Sequence, residues 1–205
     1  MQSKDHGTKL REVFENALLQ AQKITGRQMN KSRSEFLALS VFGLLCARNV
    51  QQHQIASHIE GVAEQESKVR RLQHFLADYE LDYELVMALV LLLLPSKGKV
   101  TLSMDRTEWE FGSQNHNVLV ISIYTHGVGF PIWFECLDNN GGNSACDDRI
   151  YVLSCCMKMV GVKRIKVLVC DSEFIGEEWI GFLLEEQIPF CIDVRTNQYF
   201  VYEGR

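Results

Sequence analysis

The hydrophobic period of this 205-residue chain changes once, between Pro95 and Lys99, and that change constrains the fold more than any other feature. Before it, apolar residues recur at the three- and four-residue spacing of amphipathic helices; after it come short β-branched runs. The sequence therefore predicts a helical domain over residues 1–97 and an α/β domain over residues 98–205.

In the helical part, "KLREVFENALLQAQKI" (9–24) places Leu10, Val13, Phe14, Ala17, Leu18 and Ala21 on one face, with Gly26 as the stop. Ser34 is the expected N-cap of a second helix through "EFLALSVFGLLCAR". Ile55, Ala56 and Ile59 share one face of a short helix that Gly61 ends. Another helix begins near Gln65 and turns Val69, Leu72, Phe75 and Leu76 inward. Two short helices joined by a tight Gly-containing turn give helix-turn-helix geometry, whose second helix can enter a major groove. Lys68, Arg70 and Arg71 then lie on or near its exposed side and are candidate DNA contacts. The alternative for this segment is a plain structural hairpin with a solvated basic face. "LVMALVLLLL" (85–94) is short of the roughly 20 residues that span a bilayer and reads as a buried helix ended by Pro95.

Composition narrows the function classes. Hydrophobic residues make up 46% and charged residues 23%, as in a soluble globular protein. The opening "MQSKDHGTKLREVFENALLQ" is charged throughout and lacks a leader pattern, so a cytoplasmic protein with no membrane partner is expected. Seven cysteines are scattered without a C-x-x-C pair, which fits neither a disulfide framework nor a structural zinc site; Cys155 and Cys156 read as small core residues. Residues 1–100 carry 13 Lys and Arg against 11 Asp and Glu, and residues 101–205 carry 8 against 15. Any nucleic-acid binding must therefore come from local patches.

The second part reads as strands 100–105, 117–125 and 129–137, a loop "DNNGGNSACDD", a helix over 147–160, a strand 165–171, a helix 176–187 and a strand 189–194. A meander followed by alternating helices and strands is an α/β layout with a mixed sheet. Asp105 closes the run "VTLSMD", and Asp171 closes "IKVLVCD". Functional groups in open α/β sheets gather at strand ends, so if the two strands are neighbours these acids meet in one apolar cleft. Two carboxylates so placed repel unless a cation neutralises them. Mg²⁺ accepts one or two carboxylates and keeps its other positions for water and phosphate. Two such ions about 3.5–4 Å apart clamp the attacking and leaving oxygens of a phosphoryl displacement. Taken singly, each aspartate is as readily a strand-end or N-cap residue.

The motifs "MDRTEWEFG", "PIWFECLDNNGGNS", "VCDSEFIGEEWIGFL" and "IPFCIDVRTN" resemble successive segments of the catalytic core of bacterial insertion-sequence transposases of the DDE type. The resemblance covers roughly residues 30–200. It implies an RNase H-like fold and an N-terminal DNA-binding region. The implied activity is cut-and-paste DNA transposition with Mg²⁺ or Mn²⁺, acting on element terminal repeats and target DNA, and it allows a homodimer. Asp105 matches the first catalytic and metal-binding aspartate of the family and Asp171 the second; Arg106 and Thr107 become phosphate or supporting contacts. The chain departs from the family at Ser172 and Asp193, where basic residues are usual. The third acid, a glutamate on a helix past the last core strand, has no counterpart before Arg205, and Glu203 lacks the surrounding motif. A C-terminally truncated transposase is therefore expected. The rivals are a non-catalytic DNA-binding remnant and a generic Mg²⁺ nuclease using Glu173 or Glu177. The six histidines form no zinc spacing, "NNGGNSA" reads as a turn, and Trp109 and Trp179 are expected to pack around the site.

Overall fold

The computed structural model describes residues 2–95, 97–138 and 142–194. The chain divides into two compact units, Met1–Leu93 and Leu94–Arg205. The first holds α1 (Gln2–Thr25), α2 (Lys31–Ala47), α3 (Gln52–Ser57), α4 (Gln65–Asp78) and α5 (Tyr83–Leu93). Among the described residues no helix is long and apolar enough to cross a membrane.

Its core follows the helical period in part. Ala17, Leu18 and Ala21 of α1 are buried, as are Leu85, Ala88 and Leu89 of α5, and these two helices pack together. Leu10 and Val13, expected inside, are about half exposed, because the buried arc of α1 is centred on Leu18 and Gln22 instead. Gln22 is buried since its Oε1 accepts the Met29 N–H at 2.7 Å. α2 is capped four residues earlier than expected, by Asn30, whose Oδ1 accepts the Arg33 N–H at 2.9 Å. Ser34 lies inside the first turns. A cluster of Phe36, Ile55, Ile59 and Leu72 ties α2, α3 and α4. Gly43 lets α3 approach closely, since a Cβ there would stand 2.8 Å from the Ile55 carbonyl oxygen. Leu76 points to solvent rather than inward. The link from α3 to α4 spans residues 58–64, longer than a tight helix-turn-helix turn, which takes about 3–4 residues.

The second unit is an α/β fold built on one mixed five-stranded sheet. The strands are β1 (Val100–Phe111), β2 (Gln114–Thr125), β3 (Val128–Leu137), β4 (Ile165–Cys170) and β5 (Phe190–Ile192), in the order β3-β2-β1-β4-β5. β2 runs antiparallel to β1 and β3; β4 is parallel to both β1 and β5. α6 (Cys146–Val160) joins β3 to β4, and α7 (Glu177–Glu185) joins β4 to β5. This order, with helical crossovers into the parallel strands, is the RNase H-like arrangement.

One face of the sheet supplies Leu102, Met104, Leu119, Ile121, Ile123 and Leu168. They are buried together with Val152, Leu153 and Cys156 of α6 and with Trp179 and Leu183 of α7. Each fully buried side chain of this kind contributes about 1.5–3 kcal/mol. The helix run is short of full apolar character at Arg149, which falls on the inward phase of α6 and is buried.

Two features depart from the expected strands. β1 does not stop at Asp105 but continues to Phe111, paired with β2 through Phe111↔Gln114. The two-residue loop Gly112-Ser113, with Gly112 at φ +64°, closes a hairpin there. In addition, the β1–β4 pairing shifts by one residue between Val100↔Ile165 and Thr101↔Val167, so Lys166 is the extra residue.

Candidate functional site

The shifted register places the two candidate acids. From Thr101↔Val167 the strands run in step to Met104↔Cys170, where the β1–β4 pairing ends. Asp105 and Asp171 are the next residues on the two adjacent parallel strands. Side chains alternate along a strand, and Met104 and Cys170 are both buried. The two aspartates therefore stand on the other side of the sheet. Across that side, Asp105 is flanked by Val120 and then Phe134. Both aspartates are exposed, not lodged in an apolar cleft. The reason is local: β4 ends in a 3₁₀ turn, Ser172–Phe174, and β1 runs on beside β2 alone, which opens the sheet to water at this point.

Each carboxylate is oriented by its own backbone. Asp105 Oδ1 accepts the Arg106 N–H at 2.8 Å, and Asp171 Oδ1 accepts the Ser172 N–H at 2.6 Å, capping the 3₁₀ turn. Their donor set consists of hard, exposed carboxylate oxygens on neighbouring strand ends. That fits a divalent cation such as Mg²⁺, which takes one or two protein carboxylates and otherwise water and phosphate. Among the described residues, no group of three or more His, Cys, Asp and Glu side chains could hold a metal ion. Glu203 lies outside the described residues.

Beneath the pair sits a polar network. Arg106 lies against Glu173, its Nε 3.2 Å from both carboxylate oxygens, and its Nη1 donates to Asn117 Oδ1 at 3.1 Å. Glu108 completes its contacts at 3.6 Å. Arg106 thus joins the strand after Asp105 to the turn after Asp171. Asn117 is 1% exposed, and its amide donates to the Gly142 carbonyl at 3.1 Å. Arg149 donates to Ser144 Oγ at 2.8 Å, to the Ser144 carbonyl at 2.7 Å and to the Glu173 carbonyl at 3.2 Å, with its guanidinium over the Phe174 ring. Burial pulls the Arg149 guanidinium below its ordinary pKa, while the Cys146 thiol and Glu173 pull the other way.

Arg106, read from sequence as a phosphate or supporting contact, is engaged by Glu173, Glu108 and Asn117 and so stands in the supporting position. Glu173, the nearest alternative acid, is committed to Arg106. Trp109 is 58% exposed and does not pack around the site; Trp179 is fully buried and stacks on Phe182. In the first unit, Arg70 and Arg71 are exposed and Lys68 is half-buried; the Arg71 guanidinium lies over the Phe36 ring at 4.1 Å. The stretch 139–141 of "NNGGNSA" lies outside the described residues. All seven cysteines are free thiols; burial pushes Cys156 and Cys170 up to about 12, which leaves them protonated.

Sequence reasoning missed Asn117 and Arg149, although both carried a signal. Asn117 precedes Leu119, Ile121 and Ile123 on the inward phase of β2, and Arg149 precedes Val152, Leu153 and Cys156 on that of α6. A polar residue in an apolar phase needs partners.

No protein-family profile matches the chain, and no curated protein matches it. Among solved structures, it is similar to the HTLV-2 integrase catalytic core domain in complex with magnesium, in its dimeric form. That match has 11% identity and TM-score 0.35, over 46% of this chain and 61% of that one. The trimeric form matches at 11% identity and TM-score 0.35 over 47% and 60%. A chain of the simian T-cell lymphotropic virus intasome in complex with PP2A regulatory subunit B56 gamma matches at 12% identity and TM-score 0.36, over 72% and 48%. The chain thus spans less than two thirds of the length of each of these structures.

Proposed function

We propose that the second unit is a DNA phosphoryl-transfer core of the transposase type, with Asp105 and Asp171 as its metal-holding carboxylates. The observation that carries this reading is the Met104↔Cys170 register, which sets both acids side by side at the end of the β1–β4 pairing. Bound there, Mg²⁺ or Mn²⁺ supplies charge neutralisation and an activated oxygen for attack on a phosphodiester. The chain's own residues do the rest: the Arg106 and Ser172 N–H groups hold one oxygen of each carboxylate, and the Arg106–Glu173 pair keeps the two acid-bearing segments together. In this reading the finer family is the insertion-sequence transposases named from sequence, DNA ends and target DNA are the substrates, and a homodimer is the working form. The first unit then serves as the DNA-binding domain, with Lys68, Arg70 and Arg71 as contacts.

A second reading, a DNA-binding protein that does not cleave, is favoured by the engagement of Glu173. An acid clamped by a guanidinium on both oxygens is a poor third ligand for a metal.

The test incubates the chain and its Asp105→Ala variant with element-end DNA and Mg²⁺ or Mn²⁺. Strand cleavage that falls by about a thousandfold or more in the variant is the expected result. Salt-sensitive binding with no cleavage by either chain would instead establish the second reading.

A further inference from the structure

The first unit carries a feature that the acid pair does not use. α2 and α4 meet along a shallow groove whose lining includes Ser32, Arg33, Arg71, His74, Phe75 and Tyr79. Three rings follow one another there. Phe36 meets Phe75 edge-on at 5.3 Å between centroids, and Phe75 meets Tyr79 at 5.3 Å with the planes tilted by 35°. A guanidinium covers each end of the row: Arg71 over Phe36 at 4.1 Å and Arg33 over Tyr79 at 4.5 Å.

Two arginines of the unit are held by acids, while Arg33 and Arg71 are held by rings. Arg11 pairs with Glu15 and Glu60, and Arg27 pairs with Asp82 and Glu84. Arg33 and Arg71 form no ion pair among the described residues. Stacking engages the face of a guanidinium and leaves its edge donors, up to five N–H groups in a rigid fork, for a ligand. The ring beneath also fixes the fork in advance, which lowers the ordering cost of binding. Asp78, the acid in the groove lining, is 3.1 Å from His74 and so is already engaged. Ser32 brings in the first turn of α2, the positive end of that helix.

We propose that this groove is a phosphate-binding site for a nucleic-acid backbone, with Arg33 and Arg71 each donating to a phosphate. Planar forks match phosphate oxygens two at a time. Two forks at opposite ends of a three-ring row suit a ligand with repeated charges better than a single anion. Contacts of this kind hold register on a duplex without reading its sequence. The site departs from the outward-facing recognition helix in which Arg71 would meet bases. It rests on the function proposed above only in the choice of DNA as ligand.

The experiment measures binding of the full chain to a fluorescein-labelled random-sequence DNA duplex across a salt series, with EDTA present. The Arg33→Ala/Arg71→Ala double variant is expected to bind about tenfold to a hundredfold more weakly at low salt, with the slope of log K against log salt reduced by about two. Arg33→Lys/Arg71→Lys is expected to keep the slope and lose affinity, since charge stays while the planar fork goes. Unfolding curves that show both variants fully folded under the binding conditions would attribute the loss to contacts and not to folding. Unchanged affinity and slope in the double-alanine variant would overturn the proposal. So would an Arg70→Ala loss as large as that of the double variant, which would move the contact to the outward face of α4. A phosphoserine peptide whose binding alone depends on the two arginines would also refute it, by assigning the groove to another class of partner. The measurement involves neither metal nor cleavage, so it and the acid-pair reading can fail separately.

Discussion

Arginine is used in two opposite ways in the two units. In the sheet unit, Arg106 and Arg149 are walled in and answered by acceptors: Glu173, Asn117 and Glu108 for one, Ser144 and the Glu173 carbonyl for the other. In the helical unit, Arg33 and Arg71 rest on aromatic faces at the surface. The first arrangement spends the donors on the protein itself and makes a brace. The second fixes the side chain yet leaves its donors for something else. Arg149 also has a ring beneath it, Phe174, so what separates the two uses is whether acceptors take up the edge donors of the guanidinium.

That contrast can be broken by measurement. Arg149→Ala is expected to produce the largest stability change, a loss of about 2–4 kcal/mol in urea unfolding, because it empties a buried site and orphans the Ser144 and Glu173 carbonyls. A loss under about 0.5 kcal/mol would remove the distinction between brace and ligand group. Next, a double-mutant cycle on Arg106→Ala and Glu173→Ala should return a coupling of about 1–3 kcal/mol, since both side chains are mostly shielded from water. Additive losses would mean that the pair does not join the two acid-bearing segments. Smaller still, Arg33→Ala and Arg71→Ala should each cost about 0.5–1 kcal/mol of stability, the worth of an exposed cation–π contact; larger losses would make them struts as well.

The smallest effect concerns charge. Burial, and then the carboxylates of Asp148 and Asp138, push Glu135 above its ordinary pKa. A raised folded pKa contributes stability that is present at low pH and lost as pH rises past the ordinary Glu value. Glu135→Gln should therefore raise the melting temperature at pH 7 and leave it unchanged at pH 3.5. Equal shifts at both pH values would show that the gain is not electrostatic.

Much of the sheet unit was legible because its elements are local. The run Val167–Cys170 forms a strand as its apolar character predicts, but one covered on a single face: Leu168 and Cys170 are buried while Val169 is exposed. The short gap between the predicted strands 117–125 and 129–137 is the His126-Gly127 turn that joins β2 to β3. Neighbouring β1 and β4 strands were a condition of the site reading, and the sheet order meets it. What failed was also local, but subtler. Gly112-Ser113 is a two-residue hairpin signal, and it carries β1 past the expected end at Asp105 to Phe111. Leu10 and Val13 have the right spacing for a core face, yet spacing gives a stripe without saying how much of it a neighbour covers. The ring row could not be read at all: Arg33 and Tyr79 are 46 residues apart in different helices, and no period links them.

The extra residue at Lys166 has a consequence that resembles a reading frame. Counted in step from Val100↔Ile165, the strand would bring Asp171 opposite Arg106, and the two acids would never share a level of the sheet. Looping out one residue restores the phase. An insertion or deletion elsewhere between Thr101 and Asp105, or between Val167 and Asp171, would keep every strand apolar and the composition nearly intact while dissolving the pair. Lys166, just ahead of that interval, is the position whose loss keeps the frame. The site is addressed by counting as well as by chemistry, and a sequence can retain both aspartates and still have lost it.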